Sequence, residues 1–202
     1  MTTMPVSVGS QKPPVAEMQV GDAARDAALM KRFAAGDQQA FAMLARGYEA
    51  YLFGLARGVL GRRDDLAQEA VQETWVRVIR GAGAFRGESS FKTWVYRILV
   101  NRCLDISERE ARQKRMRIGV VEAGGAGYGV EESDARAEGL AGAIERLTVA
   151  QRVVVLLCYH RGLTHAQAAE VLGLPLGTLK SRLNAGLEAL RGMMGEGGEK
   201  GE

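Results

Sequence analysis

Cysteine is scarce in this 202-residue chain, with only Cys103 and Cys158, one in each half. Two such residues build no secreted disulfide framework and point to a reducing, cytoplasmic setting. Proline is scarce as well: three of its four copies lie within the first twenty residues, and the fourth is Pro175. Most of the chain is therefore free to form long helices. Long apolar runs are missing, since Val153–Cys158 is far shorter than the roughly 20 residues a membrane helix needs. No apolar core follows a basic start at the N-terminus, which argues against a signal peptide. Strand alternation persists nowhere, and neither a Gly-rich phosphate loop nor a nucleophile elbow occurs. We therefore expect an all-α, non-catalytic protein without a cofactor.

Net charge is only +3, so any polyanion must be met by local patches rather than by the whole molecule. Such patches exist. Residues 86–117 hold nine Lys/Arg against four Asp/Glu, and residues 146–191 hold six against two. Residues 118–140 reverse the balance, with one Arg and five acids. Two basic blocks around an acidic spacer suggest two surfaces that both meet nucleic acid.

The helical pattern starts near Asp22, after a tail expected to be disordered over 1–21. Gly36 ends one helix and Asp37 caps the next, in which Phe41, Leu44, Tyr48, Leu52, Leu55 and Val59 keep helical spacing. A third helix buries Ala67, Val71, Trp75 and Val78. A Gly-rich loop follows, and a fourth helix with the stripe Phe91, Trp94, Val95, Ile98, Leu99 and Cys103 continues into the basic run at 112–117. Together, 22–117 form one expected domain. Residues 118–139 read as a flexible, Gly-rich linker. A second small domain spans 140–194, with a further tail at 195–202.

Within that second domain, THAQAAEVLGLPLGTLKSRL at 164–183 reads as a helix-turn-helix. Thr164 and Gln167 fit a capping box, Gly173 suits a left-handed helix end, and Pro175 suits the start of a helix. Leu176, Leu179, Leu183, Leu187 and Leu190 form a stripe expected to face a core. Opposite them stand Thr178, Lys180, Ser181, Arg182 and Asn184. Short donors flanked by cations suit phosphates and major-groove base edges.

Two features of the first domain exceed what a helical bundle requires. Asp65, Gln68, Glu69, Gln72 and Glu73 line one side of the third helix; this is either a solvated face or a docking surface for a basic protein. Between Phe85 and Asn101, the aromatics Phe85, Phe91, Trp94 and Tyr96 alternate with Arg86, Lys92, Arg97 and Asn101. Rings for stacking and cations for the backbone suit single-stranded nucleic acid. Trp94 lies on the apolar stripe, whereas Phe85 in its loop and Tyr96 off the stripe are expected to be available.

FRGESSFKTWVYRILVNRCLD at 85–105, preceded by QEAVQETWVRVIR at 68–80, resembles region two of the extracytoplasmic-function sigma factors. The segment AIERLTVAQRVVVLLCYHRGLTHAQAAEVLGLPLGTLKSRL resembles their region four. The resemblance implies a subunit that binds core RNA polymerase, at its beta' clamp and beta flap, and directs it to promoter DNA. It implies that Asp65, Gln68, Glu69, Gln72 and Glu73 dock on the clamp. The loop with Phe85, Arg86, Ser89 and Ser90 would capture a flipped base of the minus-ten element. Lys92, Trp94, Tyr96, Arg97 and Asn101 would contact that strand and the adjoining duplex. Thr178, Lys180, Ser181, Arg182 and Asn184 would read the minus-thirty-five element. An anti-sigma protein is an implied partner. Ala185 and Leu187 depart from the family's basic residues, and Leu66 departs from its usual aspartate.

The alternative is a conventional helix-turn-helix regulator with an N-terminal dimerisation or sensing bundle. A metal site from Cys158, His160 and His165 is not expected, because four suitably placed ligands are wanting.

Overall fold

The computed structural model of the protein describes residues 22–124 and 139–195. The expected tail at 1–21, most of that at 195–202, and the expected linker beyond Gly124 lie outside the described residues. Those residues form eight α-helices and no strand: α1 (Ala23–Ala34), α2 (Gln38–Val59), α3 (Asp64–Gly81), α4 (Phe91–Gly124), α5 (Leu140–Arg146), α6 (Val149–Val155), α7 (His165–Leu172) and α8 (Leu176–Gly195). A π-helical turn, Leu156–His160, extends α6.

Local chemistry sets the helix ends. The Asp22 carboxylate accepts from the amides of Ala24 and Arg25, and Asp37 does the same for Gln39 and Ala40. Gly36, at φ +101°, makes the turn between α1 and α2. Thr164 and Gln167 form the expected capping box, and Gly173 closes α7 in the left-handed conformation. A second box, Thr148 with Gln151, opens α6. Thr148→Ala and Thr164→Ala should each lower stability by about 1 kcal/mol, seen as a lower urea midpoint at unchanged slope. An unmoved midpoint would mean that these caps contribute nothing.

Helix α4 continues past Arg117 to Gly124, into the segment read as linker. Residues 118–123 hold one glycine and no proline, so no breaker intervenes. The connection's greatest reach falls accordingly, because a helical residue rises about 1.5 Å against about 3.4 Å when extended.

The N-terminal core follows the periodicity. Leu44, Tyr48, Leu52, Leu55 and Val59 of α2 are buried, with Val71 and Val78 of α3 and Phe91, Val95, Leu99 and Cys103 of α4. In the C-terminal group, Val154, Leu157, Ala168, Val171, Leu179 and Leu183 are buried. Leu176 corrects the expected stripe: it is 43% exposed. As the first residue of α8 its side chain leans toward the helix N-terminus, beyond the turns that pack on α7.

The two helical groups pack against each other, α7 on α4, and α6 with its π-turn on α2. Arg152 fastens this junction. Its buried guanidinium donates to the carbonyls of Val59 (2.9 Å), Ile144 (3.1 Å), Leu147 (3.0 Å) and Glu145. Val59 is the last residue of α2, where a cation also meets the negative end of the helix dipole.

Candidate nucleic-acid interface

The most open part of the site is the start of α8. Thr178, Lys180, Ser181, Arg182 and Asn184 are all exposed, opposite the buried Leu179 and Leu183. Lys180 and Arg182 enter no ion pair among the described residues. Ser181 donates its hydroxyl to the Gly177 carbonyl at 3.0 Å, so toward a ligand it is an acceptor. Ala185 is exposed and adds no charge. Leu187 is half-buried and lines a groove of about 680 Å³ with Gly58, Ile144, Val155 and Leu190, which accounts for an apolar residue there.

The face at Phe85–Asn101 is only partly as expected. Phe85 is half-buried, its ring 5.2 Å from that of Trp94 and 6.3 Å from that of Phe91. The loop aromatic is thus the wall of a ring cluster rather than a free stacking platform. Ser90 caps α4: its hydroxyl accepts from the Thr93 amide at 3.1 Å and lies 3.0 Å from the Thr93 hydroxyl. Ser89 is half-buried, while Arg86, beside Glu88, and Asn101 are exposed.

Tyr96 is the clearest correction, being 1% exposed. Burial raises its phenol to about 12, and it lies near enough to Arg161 and Tyr51 to feel their charges. Lys92 is half-buried; burial first, and then the charge of Arg161, hold its ammonium below the usual range. Arg97 donates to the Glu170 carbonyl of α7 at 2.8 Å. Tyr96 stands off the α4 stripe, and its neighbours Tyr48 and Tyr51 of α2 and Arg161 lie far from it in the chain, so no local pattern reveals its burial.

On α3, Asp65, Gln68 and Gln72 are exposed. The hydrogen bond from Arg63 holds the Asp65 carboxyl below its usual range. Glu69 and Glu73 are half-buried and paired internally: the Arg102 guanidinium lies 2.7 Å from Glu69 and 2.8 Å from Glu73, and Arg109 lies 3.3 Å from Glu69. The acidic face is therefore largely neutralised by α4. The sequence reading missed Val76 and Ile79, which are 43% and 49% exposed on the turns after Gln72. Their signal is an apolar pair outside the buried stripe of Ala67, Val71 and Val78.

No group of three His, Cys, Asp or Glu is placed to hold a metal among the described residues. The buried Cys103 thiol is pushed up to about 12, so it stays protonated near neutral pH. No helix is long and apolar enough to cross a membrane.

Comparison with known proteins accounts for this arrangement. Residues 44–113 match the Sigma-70 region 2 family, and residues 138–190 match Sigma-70, region 4. The chain is 34% identical over 160 residues to the ECF RNA polymerase sigma factor SigM of Mycobacterium tuberculosis, covering 78% of each. Its fold is similar to CnrH, solved with the cytosolic domain of CnrY, at TM-score 0.64 and 24% identity, covering 85% of this chain and 98% of that one. It is also similar to RpoE, solved with the anti-sigma factor NepR from Bartonella quintana, at TM-score 0.56 and 21% identity, covering 76% and 96%. Two sigma regions in series disfavour a conventional regulator with a sensing bundle. The chain belongs to the extracytoplasmic-function sigma factors of the sigma-70 family, the alternative subunits that direct RNA polymerase to promoters.

Proposed function

We propose that this sigma factor holds a promoter by two unequal grips. The exposed α8 residues Thr178, Lys180, Ser181, Arg182 and Asn184 bind the minus-thirty-five duplex in the major groove. The region around Phe85–Ser90, with Lys92, Arg97 and Asn101, binds the minus-ten strand once it is unpaired. The ring cluster of Phe85, Phe91 and Trp94 gives that pocket a rigid apolar wall, and Arg86 and Asn101 supply polar contacts. No step is catalytic: unwinding is favoured because the second grip binds only the open strand.

The observation that carries this reading is the α8 face. It presents two cations that are unpaired among the described residues and three short polar side chains, ordered by buried leucines on the reverse side. We place the polymerase contact on Asp65, Gln68 and Gln72, extended by Val76 and Ile79. Glu69 and Glu73 join it where clamp cations displace Arg102. The solved complexes of similar fold support an anti-sigma protein as a further partner. Cysteine usage supports work in the cytoplasm.

The test is Lys180→Ala with Arg182→Ala, assayed as holoenzyme on a cognate promoter. Losing two phosphate contacts should reduce the slope of log affinity against log salt by about 1.8 and weaken binding about tenfold at moderate salt. An unchanged slope would remove both side chains from the DNA.

A further inference from the structure

Arg97, Arg102 and Arg152 each hold a carboxylate or a backbone carbonyl. Lys92 and Arg161 do not. Both are half-buried, and neither forms an ion pair among the described residues. The Arg161 Nε is buried without a hydrogen-bond partner. The two side chains are close enough for Arg161 to bear on the charge of Lys92, and no carboxylate acts on either. Like charges drawn partly out of water and set side by side are unfavourable until an anion joins them.

Separate elements bring this cluster together. Lys92 and Tyr96 lie one turn apart on α4, Tyr51 stands on α2, and Arg161 follows the π-turn. Gly54, one turn beyond Tyr51, makes room for the guanidinium, since a Cβ there would meet Arg161 Nη2 at 2.5 Å. Gly58 does the same for Leu156, whose Cδ1 would lie 2.8 Å from a Cβ. The guanidinium stands 5.6 Å above the Tyr51 ring. Tyr48 donates its hydroxyl to Asp26, but the buried Tyr96 hydroxyl has no such bond and lies near Arg161. A buried phenol without a partner is a donor left over for a ligand.

We propose that Lys92, Arg161 and Tyr96 form a binding site for the phosphate dianion of a small molecule. Two cations balance a charge of about −2, and guanidinium, ammonium and phenol approach its oxygens from different sides. A carboxylate brings one charge in one plane and leaves the second cation unanswered. A nucleic-acid strand fits less well: each phosphodiester carries a single charge, and its neighbours need an open track, whereas Tyr96 is covered. The site stands whether or not Lys92 also meets the minus-ten strand.

Calorimetric titration of the full-length free subunit, at an ionic strength fixed with chloride, tests this. The probes are inorganic phosphate, adenosine monophosphate and an oligothymidylate without a terminal phosphate. Wild type should bind one or both of the first two. Tighter binding of adenosine monophosphate marks a nucleotide as the ligand, and equal binding marks the phosphate group alone. Lys92→Gln and Arg161→Gln should each weaken binding about thirtyfold, and Tyr96→Phe about tenfold. Arg161→Lys should recover part of the loss, because the charge returns without the planar fork. Circular dichroism checks each fold, and phosphate should raise the urea midpoint of wild type but not of Arg161→Gln. No binding by wild type up to about 10 mM, or unchanged affinity in Arg161→Gln and Tyr96→Phe, would overturn the site. Oligothymidylate binding more tightly than either small anion, and lost in the same variants, would make the cluster a strand contact and overturn it equally.

Discussion

Arg152→Ala should lower folding stability by about 3 kcal/mol or more, the largest effect expected of any single change outside the apolar core. The side chain is 8% exposed, and its guanidinium satisfies four backbone carbonyls from three places: the end of α2, the end of α5 and the turn before α6. Burial lowers its pKa, but arginine starts so far above neutrality that the cation persists. Alanine would strip the Val59, Glu145 and Leu147 carbonyls of this donor, Ile144 keeping the Leu147 amide, and would leave a void between the regions. Lysine should recover only part of the loss, since one ammonium has three donors and cannot span four carbonyls. Urea unfolding monitored by circular dichroism measures both variants. A midpoint within error of wild type for Arg152→Ala would show that water replaces the guanidinium at little cost.

Val76→Asp together with Ile79→Asp should weaken core polymerase binding about a hundredfold, or about 3 kcal/mol. Both side chains are large, apolar and exposed on the face that continues from Gln68 and Gln72. Asp65 is held by Arg63, while Glu69 and Glu73 are held by Arg102 and Arg109, so the acids begin any encounter already paired. An incoming cation gains from them only the difference between two ion pairs, which is small at a partly exposed site. Burial of Val76 and Ile79 has no such competitor. Competition against a labelled wild-type subunit reads the loss, and circular dichroism checks that α3 is intact. Equal competition by the double variant would move the polymerase contact elsewhere.

What the sequence made legible is what neighbours in the chain decide. Asp37, the Thr164–Gln167 box and Gly173 act within one turn, and the stripes of α2 and α4 depend on helical period alone. The α8 face was equally legible, because a polar face opposite buried leucines needs no tertiary knowledge. The errors share a cause. The burial of Tyr96 is illegible locally because its neighbours Tyr48, Tyr51 and Arg161 are distant in the chain, as is Glu170, the partner of Arg97, at a separation of 73. Glu69 looked free because its partners Arg102 and Arg109 are 33 and 40 residues away. Gly54 and Gly58 look like weak points of α2 until region four is laid against them. Leu176 kept the leucine spacing, but the core ends before the first turn of α8.

The two grips are separated most directly by footprinting holoenzyme on one promoter, with nuclease protection for occupancy and permanganate reactivity of thymines for melting. Arg97→Ala with Asn101→Ala should preserve protection upstream and reduce thymine reactivity about tenfold or more. Lys180→Ala with Arg182→Ala should reduce protection and reactivity together, with melting restored at low salt. Undiminished reactivity in the Arg97 and Asn101 variant, or loss of upstream protection in it, would contradict the division of binding between α4 and α8.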